Sequence, residues 1–353
     1  MLKIINSQPD FEAFRETWDN FYTQCPEATP FQSFAYNFAS WKNLREKGDR
    51  LHIICIYRQK DKQLLALFPT YLDKKGCLRF INGRDTDFSG ALFYKGFAND
   101  YHLLEEFTDY VKNTKEISAL CFDNLKADNP LTSIFSYLLR GTQIKATNAW
   151  SILPIPGKNE EDKTFIDCLS NLNSKDKYRL KNIVKKMKDL EFKLFHVSSE
   201  PYPTAIVEQI VNDMFAAKIR VEAYFSTEFL NLIKACYDAG ELTLAVTYQD
   251  EKAVCINFYY QNQQEFIDWL AIYTDKNMNL CNIIQMMQHI YENGGGQLNF
   301  ARGLYPYKVH NFRPTLHNLY SVHYSKTKWG QFKNWLSVCK YYLKVVVKPY
   351  VRP

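Results

Sequence analysis

The sequence predicts an α/β protein of mixed sheets, built from one unit used twice. Two stretches read as β-hairpins of the same layout: Leu51–Arg58 with Leu64–Leu72, and Leu242–Tyr248 with Ala253–Tyr260, each joined by a polar turn. A helical pattern precedes each. Phe34, Phe38, Trp41 and Leu44 are spaced at three and four before the first hairpin; Phe229, Leu232, Ile233 and Cys236 repeat that spacing before the second, where Gly240 supplies a stop. Behind each hairpin comes a further strand (Leu78–Asn82; Phe266–Tyr273), then a helix (Asp100–Asn113; Leu280–Glu292), then another strand (Ser118–Phe122; Gln297–Phe300). The order helix, hairpin, strand, helix, strand thus occurs twice. Residues 1–152 form the first expected domain, 153–325 the second and 326–353 a tail. The junction is placed at Leu153-Pro-Ile-Pro-Gly157 and the charged stretch after it.

Composition sets the class. A 353-residue chain with 46% hydrophobic and 16% aromatic residues can bury two cores, and disorder is not expected. Nine cysteines, scattered and without a C-x-x-C pair, read as reduced thiols of an intracellular protein rather than as a disulfide framework or zinc site. The first ten residues hold too short an apolar run for a signal peptide, and no run approaches a membrane span. The expectation is a cytoplasmic protein.

Charge is unevenly spread. Residues 293–353 carry ten Lys or Arg and no acid, whereas residues 1–292 carry 34 bases and 38 acids. Near the start of the cationic stretch, Gln297-Leu-Asn-Phe-Ala-Arg-Gly-Leu-Tyr-Pro-Tyr-Lys308 reads as a buried strand running into a loop that presents two cations and two phenols. Arg302 can fork onto an anionic group and Lys308 can stabilise charge developing on an acyl oxygen. Tyr305 and Tyr307 can donate protons or orient an acceptor. A basic helix is expected at Asn173–Lys193, with Leu180, Ile183, Val184 and Met187 as its apolar stripe. In the tail, Trp329, Phe332, Leu336 and Cys339 fall at helical spacing among Lys333, Lys340, Lys344 and Lys348. That pattern fits a helix resting on an anionic membrane surface or packed on the domain.

The basic helix at 174–186, Gly240-Glu-Leu-Thr-Leu-Ala with its hairpin, and Leu298-Asn-Phe-Ala-Arg-Gly-Leu-Tyr-Pro-Tyr-Lys308 together resemble the GNAT superfamily, in its CelD/BcsL-like branch, related to the FemAB-type peptidyltransferases. The resemblance runs from about residue 10 to 325. It implies two tandem GNAT-like domains and acyl transfer from acetyl-CoA or another acyl-CoA to an amine or hydroxyl, often in envelope or polysaccharide pathways. FemAB relatives instead draw an aminoacyl group from a charged tRNA. Two departures stand out. Asn299 occupies the place where the family commonly has Asp. The stretch that would cradle the CoA pyrophosphate, Asp275–Ile284, has no glycine. There Asn277 or Asn279 can cap the helix and Lys276 can meet a phosphate.

Within that frame Asp268, set in an apolar strand, is a candidate base because desolvation raises a carboxyl pKa. His310 is a second candidate for the proton. Asp85 and Asp87, in the polar loop Asn82–Gly90, are candidate acceptor contacts between the domains. The remaining histidines, His317 and His323 included, show no metal-ligand spacing, and no metal is expected. No G-x-S-x-G, Walker A or dinucleotide fingerprint occurs. The sequence-based expectation is an acyl-CoA-dependent N-acyltransferase acting on an amino sugar or similar envelope precursor, in the cytoplasm or at the inner face of the membrane. The alternatives are a FemAB-like transferase using aminoacyl-tRNA, and a degenerate scaffold that binds an anionic glycan or membrane surface.

Overall fold

The computed structural model describes residues 1–81, 86–96, 100–133, 135–158, 164–220 and 225–342. Its strands are β1 (Leu2–Ile5), β2 (Arg50–Leu51), β3 (Ile53–Tyr57), β4 (Leu64–Phe68), β5 (Thr70–Leu72), β6 (Cys77–Phe80), β7 (Leu92–Phe93), β8 (Ala119–Lys126), β9 (Gln143–Pro156), β10 (Leu190–Phe195), β11 (Leu242–Gln249), β12 (Lys252–Asn262), β13 (Glu265–Tyr273), β14 (Gly295–Arg302) and β15 (Thr315–Ser325). The helices are α1 (Gln8–Ala13), α2 (Arg15–Tyr22), α3 (Phe34–Leu44), α4 (Tyr101–Asn113), α5 (Pro130–Ser133), α6 (Phe135–Leu138), α7 (Ser174–Lys185), α8 (Thr204–Ala216), α9 (Thr227–Asp238), α10 (Lys276–Glu292), α11 (Pro306–Phe312) and α12 (Lys328–Tyr342).

Two compact units result: Met1–Asn148 together with the segment from Asn318 onward, and Ala149–His317. The boundary lies at 148/149, not 152/153, because Leu153-Pro-Ile-Pro is strand and not linker. Pro154 and Pro156 face solvent while Leu153 and Ile155 are buried, and this half of β9 pairs antiparallel with β14. Residues 318–325, expected in the second domain, belong to the first unit instead, since β15 pairs along β8 from Leu319↔Lys126 to Ser325↔Ala119.

The duplicated order holds. In the first unit α3, the β3–β4 hairpin, β6, α4 and β8 come in that order, with the short β2, β5 and β7 between them; in the second, α9, the β11–β12 hairpin, β13, α10 and β14 follow one another. Each unit pairs its two repeat strands in parallel: Cys77↔Ala119 and Leu78↔Leu120 in one, Glu265↔Gln297 to Ile267↔Asn299 in the other. A helical crossover between parallel strands is the standard solution for such a connection. Even the residues match, Leu120-Cys-Phe122 in β8 against Leu298-Asn-Phe300 in β14, with Leu and Phe buried under the crossover helix in each case.

The helix boundaries have local causes. The Asp100 carboxylate caps α4 by accepting from His102 and Leu103 N–H, and Asn173 and Ser226 cap α7 and α9 in the same way. α7 stops at Lys185, short of the expected Lys193, because Leu190, Phe192 and Leu194 alternate and pair with β11 as strand β10.

Candidate functional site

In the second unit β13 and β14 hold parallel register only as far as Ile267 and Asn299, and the strands part beyond that point. β12 carries a register shift at Phe258/Tyr259 against β13, and β14 another between Asn299 and Arg302 against β9. Asn299, fully buried, sustains the second irregularity. Its Oδ1 accepts the Ala301 N–H at 2.8 Å, which holds Ala301 in the left-handed region (φ 55), while its Nδ2 donates to Glu265 Oε1 at 2.7 Å. The missing carboxylate at 299 thus has a structural reason: an Asp there would face Glu265.

A buried polar cluster fills the opening. The Asp268 carboxylate accepts from Asn257 Nδ2 at 2.9 Å, and Asn257 also donates to Asn279 Oδ1 at 3.0 Å. Asn279 in turn donates to the Tyr307 hydroxyl at 3.1 Å. The Lys308 ammonium donates to Phe300 O at 2.6 Å, lies 3.8 Å from Asp268 Oδ2, and has the Phe300, Tyr305 and Tyr307 rings 5.5–6.0 Å away. Asp268 is 4% and Lys308 5% exposed, so this is a charge pair taken out of water. Burial pushes the Asp268 carboxyl above its ordinary range, opposed by Lys308 and by the Asn257 amide. Burial, with Asp268 nearby, also raises the Tyr307 phenol.

α11 delivers Lys308 and Tyr307 from its first turn, with Pro306 at the first helical position. Its far end is pinned to α7: Arg313, left-handed at φ 44, pairs with Asp176 at 2.7 Å, and Arg179 pairs with Asp176 at 3.2 Å and donates to His310 O. Gly303 is required at the turn into α11, since its φ is +107 and a Cβ would stand 2.8 Å from the Tyr305 ring.

The structure therefore gathers Asp268, Tyr307, Lys308 and Asn279 into one cluster, with Tyr305 as its half-exposed outer ring, stacked on Tyr307 at 6.1 Å. Other candidates lie elsewhere. His310 is exposed on α11, and Arg302 is half-buried at the bulge opposite Trp150. The Asn279 amide is engaged inside the cluster, its Oδ1 accepting from Asn257 and its Nδ2 donating to Tyr307. The cap of α10 is neither Asn277 nor Asn279 but Asp275, whose carboxylate accepts the Asn277 N–H at 2.6 Å. Lys276 and Asn277 are exposed beside it. In the first unit Asp85 lies outside the described residues. Asp87 is 8% exposed in a packed segment that Asn124 holds by bonds to Thr86 and Ser89, not in an open polar loop.

Sequence reasoning missed a second cluster, in the first unit: Cys121 and Asp123 of β8 with His323 of β15. The Cys121-x-Asp123 spacing does place both side chains on one strand face, but the register that adds His323 spans 202 residues.

No family model matches the chain, and no curated protein matches it. Solved structures do. A domain named as the C-terminal part of a "Putative Lysylphosphatidylglycerol Synthetase" from Agrobacterium fabrum aligns with TM-score 0.60 at 10% identity, covering 96% of this chain and 97% of that one. FemX aligns with TM-score 0.57 at 10% identity over 87% and 95%. A conserved protein of unknown function from Bacteroides thetaiotaomicron aligns with TM-score 0.51 at 13% identity over 92% and 100%. At such identities the likeness is one of fold, and it extends across nearly the whole of each chain. The chain has an α/β fold of mixed sheets in two units, and it shares that fold with FemX.

Proposed function

We propose that this protein is an acyltransferase whose second unit carries the reaction at the Asp268–Lys308 cluster, and that its donor is an aminoacyl ester of tRNA rather than acyl-CoA. The observation that carries the reading is the buried carboxylate–ammonium pair at the point where β13 and β14 part. An acceptor amine or hydroxyl attacks the ester carbonyl and the Lys308 ammonium offsets the oxyanion. Asp268, its carboxyl pKa raised by burial, takes the acceptor's proton and returns it to the ribose oxygen as the ester bond breaks, so the tRNA leaves as the free hydroxyl. Tyr305 lies over the ammonium from the solvent side, so displacement of its ring opens the way to Lys308.

The choice of donor rests on α10. A helix N-terminus serves a pyrophosphate through free amides and a partial positive charge, and here the Asp275 carboxylate occupies that end, with no glycine in the segment. Lys175, Lys185, Lys186 and Lys188 are exposed on and just beyond α7, suited to a polyanion, and the named synthetase and FemX lend the reading support. For the acceptor we favour an amino-bearing or hydroxyl-bearing envelope precursor or lipid at an anionic surface. α12 exposes Trp329, Phe332 and Trp335 in a stacked row, with Lys333 over Trp329 at 5.3 Å and Lys328 and Lys340 exposed on the same helix. No helix among the described residues is long and apolar enough to cross a membrane, so attachment would be peripheral.

Calorimetric titration at low salt with acetyl-CoA, with charged tRNA and with uncharged tRNA tests the donor. Heat from charged tRNA and none from acetyl-CoA is expected. The opposite pattern returns the donor to acyl-CoA, and no binding of either ends the proposal.

A further inference from the structure

In the first unit three side chains converge as metal ligands do. Cys121 Sγ lies 3.3 Å from His323 Nε2 and 3.5 Å from Asp123 Oδ2, and His323 Nε2 lies 3.2 Å from Asp123 Oδ1. A nucleophilic triad would line these groups up in series, with thiol and carboxylate on different imidazole nitrogens. Here both meet the same nitrogen, so no relay can run through the ring.

The spacings suit a coordination face, with the Asp123 carboxylate turning one oxygen to the thiol and the other to the imidazole. Bonds of about 2.3 Å to sulfur and 2.0–2.2 Å to nitrogen and oxygen, at tetrahedral angles, put neighbouring ligand atoms about 3.4–3.6 Å apart. The sulfur–nitrogen edge at 3.3 Å, and the approaches of Asp123 Oδ2 to the sulfur at 3.5 Å and of Oδ1 to the nitrogen at 3.2 Å, fall within a few tenths of an ångström of that range, and one ligand atom from each residue lies within 4.8 Å of the others. A thiolate, an imidazole and a carboxylate form the donor set of zinc, not of calcium or magnesium.

The setting is rigid and prepared. Cys121 and Asp123 stand at i and i+2 on one face of β8, and His323 is the register partner of Cys121 on β15. The other face of β8 is core, with Leu120 and Phe122 buried. Asp123 accepts a hydrogen bond from Ser321, whose hydroxyl lies 3.0 Å from that of Thr147, an outer layer of the kind that orients metal-ligating carboxylates. The Cys77 thiol hydrogen-bonds with that of Cys121, and the Arg79 guanidinium beside the two thiols offsets the negative charge of the donor set. The side chains of His323 and Asp123 are 22% and 38% exposed, so water can reach the fourth position.

We infer that Cys121, Asp123 and His323 bind a zinc ion with one coordination position left to solvent. His323 arrives on the segment that returns to the first unit after the second is complete, so the ion would fasten β15 to β8.

The test uses the full chain purified without chelator, with zinc content measured by mass spectrometry after dialysis and with cobalt(II) substituted for zinc. Near-stoichiometric zinc is expected, as are the thiolate-to-cobalt charge-transfer band and the intense visible bands of tetrahedral cobalt. Cys121→Ser should abolish the charge-transfer band and His323→Ala should release the metal. Ser321→Ala should weaken binding roughly 10–100-fold while keeping the spectrum. Cys77→Ser, and Cys25→Ser as a remote control, should leave stoichiometry unchanged. Wild-type protein that retains no zinc and gives no tetrahedral cobalt spectrum overturns the site, and that reading does not require any variant to fold. A spectrum that survives Cys121→Ser overturns it equally.

Discussion

Lys308 Nζ lies 3.8 Å from Asp268 Oδ2 and 2.6 Å from Phe300 O, so one buried ammonium joins β13 to β14 just where the two strands separate. Such a pair stabilises little in total but is costly to break, because the survivor stays charged and out of water. Lys308→Ala is therefore expected to cost about 3–5 kcal/mol of stability by urea denaturation. The pair of changes Lys308→Met with Asp268→Asn should recover most of that loss and still abolish transfer. Full activity in the double variant would remove both residues from the chemistry, and an unchanged denaturation midpoint in the single variant would remove the pair from the structure.

Asn299 stands where the resemblance leads one to expect an acid. Its amide bridges Glu265 Oε1 and the Ala301 N–H, and Asn299 itself is fully buried. Asn299→Asp keeps the acceptor for Ala301 but replaces a donor with a second carboxylate facing Glu265. It should cost about 1–3 kcal/mol and confer no activity. Adding Glu265→Gln should restore the stability, since the glutamine amide can donate to the new carboxylate. Circular dichroism melts of the two variants decide this.

How much of this could be read in the sequence depends on the range of the interaction. The hairpins and crossover helices were legible because their apolar periods are local: Leu242–Gln249 and Lys252–Asn262 appear within two residues of the expected bounds, as does the start of β13 at Glu265. α10 begins four residues earlier than its apolar pattern, because the Asp275 cap admits Lys276–Asn279 to the helix. β9 was hidden by its prolines, which sit on the solvent-facing side where they disturb no core contact. β15 was hidden because its partner β8 lies nearly 200 residues away. The same distance explains the site. Asp268 and Lys308 each carry a local signal, a charge in an apolar strand or beside a proline turn. That they meet each other follows only from how β13 and β14 diverge.

His52 offers a pH signature in the first unit. It is 5% exposed, lies 2.8 Å from the Tyr110 hydroxyl through Nε2, and has Glu116 at 3.8 Å and Arg50 beside it. Burial lowers its pKa below the ordinary 6.5, with Arg50 in the same sense and Glu116 opposed. A depressed folded-state pKa means that the unfolded chain binds the proton first. The contribution to stability is thus complete above about pH 6.5 and is lost as pH falls toward the folded value, at a slope of at most about 1.4 kcal/mol per pH unit. His52→Gln, which retains a polar partner for Tyr110, should remove this pH dependence, so that the stability difference between variant and wild type changes across that window. A difference that stays constant from pH 7.5 to about pH 5 would show that His52 does not titrate there.

The last prediction concerns α12. Trp329, Phe332 and Trp335 are 64%, 45% and 50% exposed, an apolar row that water does not favour on an isolated chain. Lys328, Lys333 and Lys340 are exposed on the same helix, and the final residues, with Lys344, Lys348 and Arg352, lie outside the described part. Aromatic residues seat at the headgroup level, and each cation near an anionic leaflet contributes about 1 kcal/mol. The full chain should sediment with vesicles containing phosphatidylglycerol and not with neutral phosphatidylcholine vesicles. Trp329→Ala with Trp335→Ala should weaken that binding at least about tenfold, and Lys333→Glu with Lys340→Glu should weaken it further at low salt than at high salt. Because the indoles touch solvent and not core, folding should be unaffected. Equal sedimentation of wild type and the tryptophan variant would mean that the row is covered by something other than lipid.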